Sequence, residues 1–206
     1  AGTAQWQNVA PYYASYIGNT GDREAKGYGE LTYRDYSGRN DIIGAQMARD
    51  DKNIYILGAR SSSYLAGFLN YNLRMVFDNV RLVQSTSGGE IFEQIMNIGK
   101  DDVMIAISFP RYSKRIVNAV EYAHNAGADV ISLTDSHQSP IAGVADQLLL
   151  ARSDLVSFVD SLVAPLSIIN AIIVAVSRKK MDDIRVRFDK LEKIWDEYEV
   201  YDKAHE

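Results

Sequence analysis

Short apolar runs alternate with amphipathic segments from Asn53 to Leu150, and this alternation constrains the fold more than any other feature of the chain. Five runs have the length and composition of strands: Ile54–Leu57, Val80–Val83, Val103–Ser108, Asp129–Leu133 and Gln147–Leu150. Parallel strands need a crossover connection, so strands that alternate with helices predict a parallel sheet with helices on both faces. We therefore predict an α/β fold, a three-layer α-β-α sandwich with a five-stranded parallel sheet of flavodoxin-like type.

The segments between and after these strands carry apolar residues at helical spacing. The predicted helices are Tyr64–Phe77, Glu90–Ile98, Ser113–Asn125, a short helix beginning at Ser139-Pro140, Ser157–Ser177 and Asp182–Tyr198. Gly127 stands where a helix C-cap belongs. Residues 1–52 are rich in Gly and Tyr and lack this alternation. We predict an N-terminal extension or leader over 1–52 and one folded domain over 53–206.

Composition restricts the classes of function that the chain can have. The net charge is −5, with both signs spread along the 206 residues, which argues against nucleic-acid binding by this chain alone. There is no cysteine, so disulfides, thiolate nucleophiles and cysteine-ligated zinc are excluded. The most apolar segment, Leu162–Val176, is shorter than the roughly 20 residues of a membrane span. We expect a cytoplasmic protein that makes no membrane contact.

Hydroxyl side chains follow four of the five predicted strands. They stand at Ser61–Ser63, Ser85–Ser87, Ser108 with Ser113, and Thr134 with Ser136. The carboxyl ends of parallel strands meet at one edge of the sheet, where ligands of such folds bind. Hydroxyls at helix N-termini suit a phosphate or another anion, because free backbone N–H groups and the helix dipole converge there. The pattern predicts a shared polar pocket at this edge.

Three stretches of the chain resemble the sugar isomerase (SIS) domain. They are Ile54-Tyr-Ile-Leu-Gly-Ala-Arg-Ser-Ser-Ser63, Val103-Met-Ile-Ala-Ile-Ser-Phe-Pro-Arg-Tyr-Ser-Lys114 and Ala126-Gly-Ala-Asp-Val-Ile-Ser-Leu-Thr-Asp-Ser136. The resemblance covers about Asn53 to Ala204 and is nearest to the effector domain of RpiR-type transcriptional regulators. It implies a homodimer or higher homo-oligomer that senses a phosphorylated sugar. It also implies that DNA is bound through a separate N-terminal helix-turn-helix domain, which we do not find in this chain.

The resemblance also assigns candidate binding residues. The serines after the first strand match the loop that contacts the sugar or its phosphate, and Ser108 and Ser113 match the ends of the phosphate-binding loop after the third strand. Phe109-Pro110-Arg111-Tyr112 replaces the small, Gly-containing middle of that loop; Pro110 removes one N–H, and Arg111 offers a charged donor instead. The predicted ligand-binding residues are Ser61, Ser62, Ser63, Ser85, Ser108, Arg111, Ser113 and Thr134. We predict no metal and no cofactor.

Two other functions fit the same sequence. A sugar-phosphate aldose–ketose isomerase would need a proton-shuttling base, and Glu90 and His137 are the best placed. A dimerisation module with a degenerate pocket would explain the departure in the phosphate loop. The final helix offers a dimer seam, since Phe188, Leu191, Ile194 and Trp195 repeat at helical spacing, and the resemblance to the regulators supports it.

Overall fold

A computed structural model of the chain describes residues 52–84, 87–152 and 161–201. Five strands and five helices lie in these residues. The strands are β1 (Ile54–Gly58), β2 (Val80–Val83), β3 (Val103–Ile107), β4 (Asp129–Thr134) and β5 (Gln147–Leu150). The helices are α1 (Ser62–Arg74), α2 (Gly88–Ile95), α3 (Lys114–Asn125), α4 (Val163–Lys179) and α5 (Met181–Glu197).

All five strands are parallel and pair in the order β2-β1-β3-β4-β5. After β1 the chain moves outward to β2, whereas β3 lies on the other side of β1. The strand order therefore reverses between β1 and β3. Ligands of open α/β sheets bind beyond the carboxyl ends of the strands at such a reversal. The topology thus directs attention to the turns that follow β1 and β3.

Helices cover both faces of the sheet. Successive side chains of a strand point to opposite faces, and in the central strands β1, β3 and β4 both sets are buried, as in strands that read as continuous apolar runs. One face packs against α2 and α3 in a cluster that includes Leu57, Ile91, Met104 and Val120. Helix α1 contacts the sheet and α4, and helices α2 and α3 form a second pair that contact each other. The prediction of a three-layer α/β fold with five parallel strands is confirmed.

A buried carboxylate fixes the amino-terminal edge of the sheet. Asp102, which is 7% exposed, accepts hydrogen bonds from Asn53 N (3.1 Å), Asn53 Nδ2 (2.8 Å) and Gly99 N (3.0 Å). Charged acceptors form the stronger class of hydrogen bond. These bonds join the start of β1 to the turn before β3, so the register of the two central strands is set at the end opposite the predicted site.

Helix α5 is attached more loosely than the other helices. None of its residues is buried, and Val186 on its surface is 72% exposed. Arg187 Nη2 lies 2.8 Å from Asp78 Oδ1, which links the helix to the turn before β2. Within the described part of the chain, the apolar residues of this helix are therefore at most half-buried.

The structure corrects two details of the predicted helices. Residues 137–144 form successive turns instead of a helix that begins at Ser139. Helix α4 begins at Val163, and the predicted start at Ser157 lies outside the described residues. Gly127 has a φ of +86° directly after the C-cap of α3, as predicted. Within the ranges that the structure describes, no helix combines the length and apolarity needed to cross a membrane.

Candidate functional site

A small cleft lies between the turns that follow β1 and β3, at the reversal of strand order. It encloses about 30 Å³, enough room to hold a bound water, and measures about 360 Å³ with its open mouth. The lining residues come from two segments: Ala59, Arg60, Ser61 and Ser62, and Ser108, Phe109, Pro110, Arg111 and Ser113. Five of the eight predicted ligand-binding residues lie together here. The enclosed part suits one small polar group, and a larger ligand would extend into the mouth.

Gly58 allows the first wall of the cleft to form. A Cβ at this position would lie 2.5 Å from the backbone oxygen of Ser62 and 3.1 Å from Cβ of Ala66. Helix α1 therefore begins in direct contact with the end of β1, which only glycine permits. The tight approach holds Ser61 and Ser62 at the edge of the sheet.

The backbone amides at the start of α1 are already paired. The N–H groups of Ser62, Ser63 and Tyr64 donate to the carbonyls of Ala59, Arg60 and Ser61 at 3.1, 3.0 and 3.3 Å. The prediction that free amides of this turn receive an anion is therefore wrong for these three groups. At this wall, side chains and the dipole of α1 are what remain to attract an anion.

The second wall is the loop between β3 and α3, where Phe109-Pro110-Arg111-Tyr112 departs from the family pattern. Phe109 is buried, and the hydroxyl of Tyr112 donates to Asp135 Oδ1 at 2.6 Å. Arg111 lies between these two anchors with a left-handed backbone (φ +65°). The loop is thus held at both ends, and it presents Arg111 at the cleft.

Four serine hydroxyls of the cleft are uncommitted. Ser61 and Ser113 precede α1 and α3 but make no capping hydrogen bond through their side chains. Ser62 and Ser108 are only 4% and 5% exposed. None of the four hydroxyls has a hydrogen-bond partner among residues 52–84, 87–152 and 161–201. Buried polar groups are normally paired, so these hydroxyls are available to a ligand.

Two other predicted residues are committed elsewhere. The Ser63 hydroxyl donates to the carbonyl of Arg60 at 2.6 Å. Thr134 is fully buried, and its hydroxyl forms hydrogen bonds with Asp135 Oδ1 (3.2 Å) and Ser139 Oγ (2.8 Å). Neither residue lines the cleft. Ser63 shapes the turn after β1, and Thr134 belongs to the hydroxyl network that anchors the β3–α3 loop.

Burial and the Asp135 carboxylate keep Tyr112 protonated. Desolvation by burial raises the pKa of the Tyr112 hydroxyl above its usual value of 10, and the neighbouring Asp135 carboxylate raises it further. A protonated phenol donates its hydrogen to the carboxylate, whereas a phenolate would be repelled. The anchor of the loop therefore persists throughout the neutral range.

The remaining predicted residues are not brought to the cleft. Ser85 lies outside the described residues. Glu90 is exposed in the first turn of α2, where its N–H donates to the Ser87 hydroxyl at 3.2 Å. His137 is exposed in the turn after β4. The two residues offered as an isomerase pair are not among those that line the cleft.

Arg60 lines the cleft, and the sequence did not single it out. It is the second residue after β1, and its φ of +56° is left-handed. A tight strand-to-helix turn requires such a backbone, and glycine is its usual residue. The available signal was an arginine where a glycine is expected.

Comparison with known proteins identifies the fold family. A family model described as the SIS domain matches residues 47–175, which is more than half of the chain. The chain belongs to the SIS domain family. The match includes both walls of the cleft and every described strand, so the site described above lies within the SIS domain.

Individual relatives extend this comparison. Over 93 residues the SIS chain is 38% identical to an uncharacterised HTH-type transcriptional regulator of Caldanaerobacter subterraneus subsp. tengcongensis; the match covers 43% of this chain and 33% of the relative. The chain thus spans about a third of that regulator. The sugar isomerase domain of an RpiR transcription factor from Sphaerobacter thermophilus has a similar fold (TM-score 0.70, 22% identity, covering 76% of this chain and 87% of the other). The Vibrio vulnificus NanR protein complexed with ManNAc-6P also has a similar fold (TM-score 0.65, 16% identity, covering 89% of this chain and 72% of the other).

Proposed function

We propose that this SIS domain binds a phosphorylated sugar at the cleft between β1 and β3 and serves as the effector domain of an RpiR-type transcriptional regulator. The carrying observation is the set of four uncommitted serine hydroxyls, with Arg111, at the reversal of strand order. The helix-turn-helix regulator among the relatives and the sugar phosphate bound by the NanR protein support the same function.

The chemistry of the lining suits a phosphate group. A phosphate ester near neutral pH carries almost two negative charges and three acceptor oxygens. Hydroxyl donors from Ser61, Ser62, Ser108 and Ser113 satisfy these oxygens, and Arg111 adds a charge-assisted donor. No carboxylate is among the residues that line the cleft, so the bound anion meets no like charge there. The sugar then extends into the open mouth.

A regulator of this kind also needs a partner copy and access to DNA. We propose a homodimer, with the apolar residues of α5 (Phe188, Leu191, Ile194 and Trp195) as its seam, because none of them is buried within the described chain. We further propose that the protein acts in the cytoplasm, where its DNA is, and that DNA contact is made by a helix-turn-helix domain outside this sequence.

Serine variants test the assignment of the cleft. Ser108→Ala and Ser113→Ala should each weaken the binding of ManNAc-6P, or of whichever sugar phosphate binds best, by roughly threefold to tenfold, as expected for one hydrogen bond. The matched control is Ser63→Ala, whose hydroxyl is committed to Arg60, and its affinity should change by less than about twofold. Equal losses in all three variants, or none in any, would contradict the assignment. Incorporation of solvent deuterium into the sugar would instead indicate an isomerase.

A further inference from the structure

Two arginines of the cleft have the same unusual backbone. Arg60 (φ +56°) and Arg111 (φ +65°) are two of the three non-glycine residues with positive φ in the described part of the chain. Both line the cleft. L-residues other than Asn and Asp rarely adopt this conformation, because Cβ then lies too close to the following carbonyl. Arg60 stands at a turn where glycine would fold more easily, so its side chain requires an explanation.

The positions of the two arginines explain what they do together. Gly58 at the end of β1 pairs with Ile107 at the end of β3. Arg60 therefore lies in one wall and Arg111 in the other, in turns that follow strands about 5 Å apart. The side chain of Arg60 is exposed, and its guanidinium makes no hydrogen bond or ion pair with a residue that the structure describes. Two positive charges thus share one cleft whose lining holds no carboxylate.

The guanidinium of Arg60 has no partner among the described residues, so an anion in the cleft is attracted to it. The dianion of a phosphate ester is attracted to this charge about twice as strongly as a monoanion in the same position. Arginine keeps its charge at every relevant pH and presents a planar fork of donors to phosphate oxygens. Each wall also contributes a nearly buried hydroxyl, Ser62 on the side of Arg60 and Ser108 on the side of Arg111.

We propose that Arg60 is a second phosphate-binding residue, which binds the anion from the wall opposite Arg111. This inference rests on the proposed function and adds a selectivity: the cleft prefers a dianionic phosphate ester to a monoanionic ester of the same sugar. Arg60 contacts the ligand directly, and the strained backbone is retained because a glycine would lack the charge.

The test is Arg60→Gly in the full chain. Glycine adopts positive φ without strain, so the unfolding midpoint should stay unchanged or rise by up to a few degrees. Affinity for the best-binding sugar phosphate should nevertheless fall by about tenfold to a hundredfold, the loss expected for a charge-assisted hydrogen bond. The preference for glucose 6-phosphate over glucose 6-sulfate should shrink in the variant. Arg178→Gly, an exposed arginine at the end of α4, is the matched control and should not affect binding.

The outcomes separate this inference from the proposed function. If Ser108→Ala weakens binding but Arg60→Gly does not, the inference is wrong and the proposed function stands. Loss of both stability and affinity in Arg60→Gly would give Arg60 a structural role and overturn the inference. Retention of the phosphate-over-sulfate preference in the variant would also overturn it. If the unaltered chain binds no sugar phosphate at all, the proposed function itself fails.

Discussion

Substitution of Gly58 by alanine tests how the fold positions the cleft. The added Cβ would lie 2.5 Å from the Ser62 oxygen, so the start of α1 has to move by at least about 0.5 Å to reach the 3.0 Å that real contacts respect. Overpacking of this kind costs about 1–3 kcal/mol. The gain from removing a glycine within a strand, about 0.5–1 kcal/mol, offsets part of it. The net cost is then about 0.5–2 kcal/mol, so for a chain of this size the unfolding midpoint should fall by roughly 1–8 °C.

The same shift displaces Ser61 and Ser62, so binding should weaken as well. A displacement of this size should cost about tenfold in sugar-phosphate affinity. The assays are thermal unfolding and isothermal titration calorimetry on the same preparations. Gly67→Ala is the matched control: nothing lies within 4 Å of its added Cβ, and it stands within α1. That control should gain about 0.8–1 kcal/mol from helix propensity and bind normally. A Gly58→Ala protein as stable and as tight-binding as the original would refute the reasoning.

Three further predictions concern the supports of the site. Tyr112→Phe removes the hydrogen bond to Asp135 and should lower the free energy of unfolding by about 1–2 kcal/mol. It should also weaken ligand binding, because the loop that presents Arg111 loses an anchor. Unchanged affinity by calorimetry would show that the loop needs no anchor. The raised pKa of Tyr112 means that the stability of this bond is complete below pH 10 and lost as the pH rises through the higher folded value. The difference in unfolding midpoint temperature between the original protein and Tyr112→Phe should therefore disappear as the pH rises above 10. A difference that stays constant with pH would count against the bond. Asp102→Ala leaves three N–H groups without their acceptor and should lower the free energy of unfolding, measured by chemical denaturation, by about 2–4 kcal/mol. Ligand affinity should be retained, because Asp102 lies at the far edge of the sheet. A comparable loss of affinity would link the two edges.

Much of the fold could be predicted from the sequence because its strands are buried on both faces. Val103–Ile107 reads as an uninterrupted apolar run, and such runs separated by helical periods leave few topologies. The prediction of a helix that begins at Ser139 was wrong because the segment is short. Its backbone bonds close only single turns, and Ser139 is tied to Thr134 through a tertiary contact that local sequence does not reveal.

The site was predicted by position but not side chain by side chain. The strand-end rule brought Ser61, Ser62, Ser108 and Ser113 to one cleft. It could not tell a hydroxyl that is left for the cleft from one that bonds elsewhere in the protein, as those of Ser63 and Thr134 do, because that choice depends on neighbouring turns. The strained backbone of Arg60 likewise became visible only with the dihedral angles.

The central claim is that the cleft between β1 and β3 binds the phosphate of a sugar. The most direct measurement is calorimetric titration of the unaltered chain with pairs of sugars that differ only in the phosphate, such as ManNAc and ManNAc-6P, glucose and glucose 6-phosphate, and glucosamine and glucosamine 6-phosphate. We predict that at least one phosphorylated member binds and its unphosphorylated partner does not, with binding lost in the double variant Ser108→Ala/Ser113→Ala. Equal binding of both members of a pair, or binding that survives in the double variant, would contradict the account.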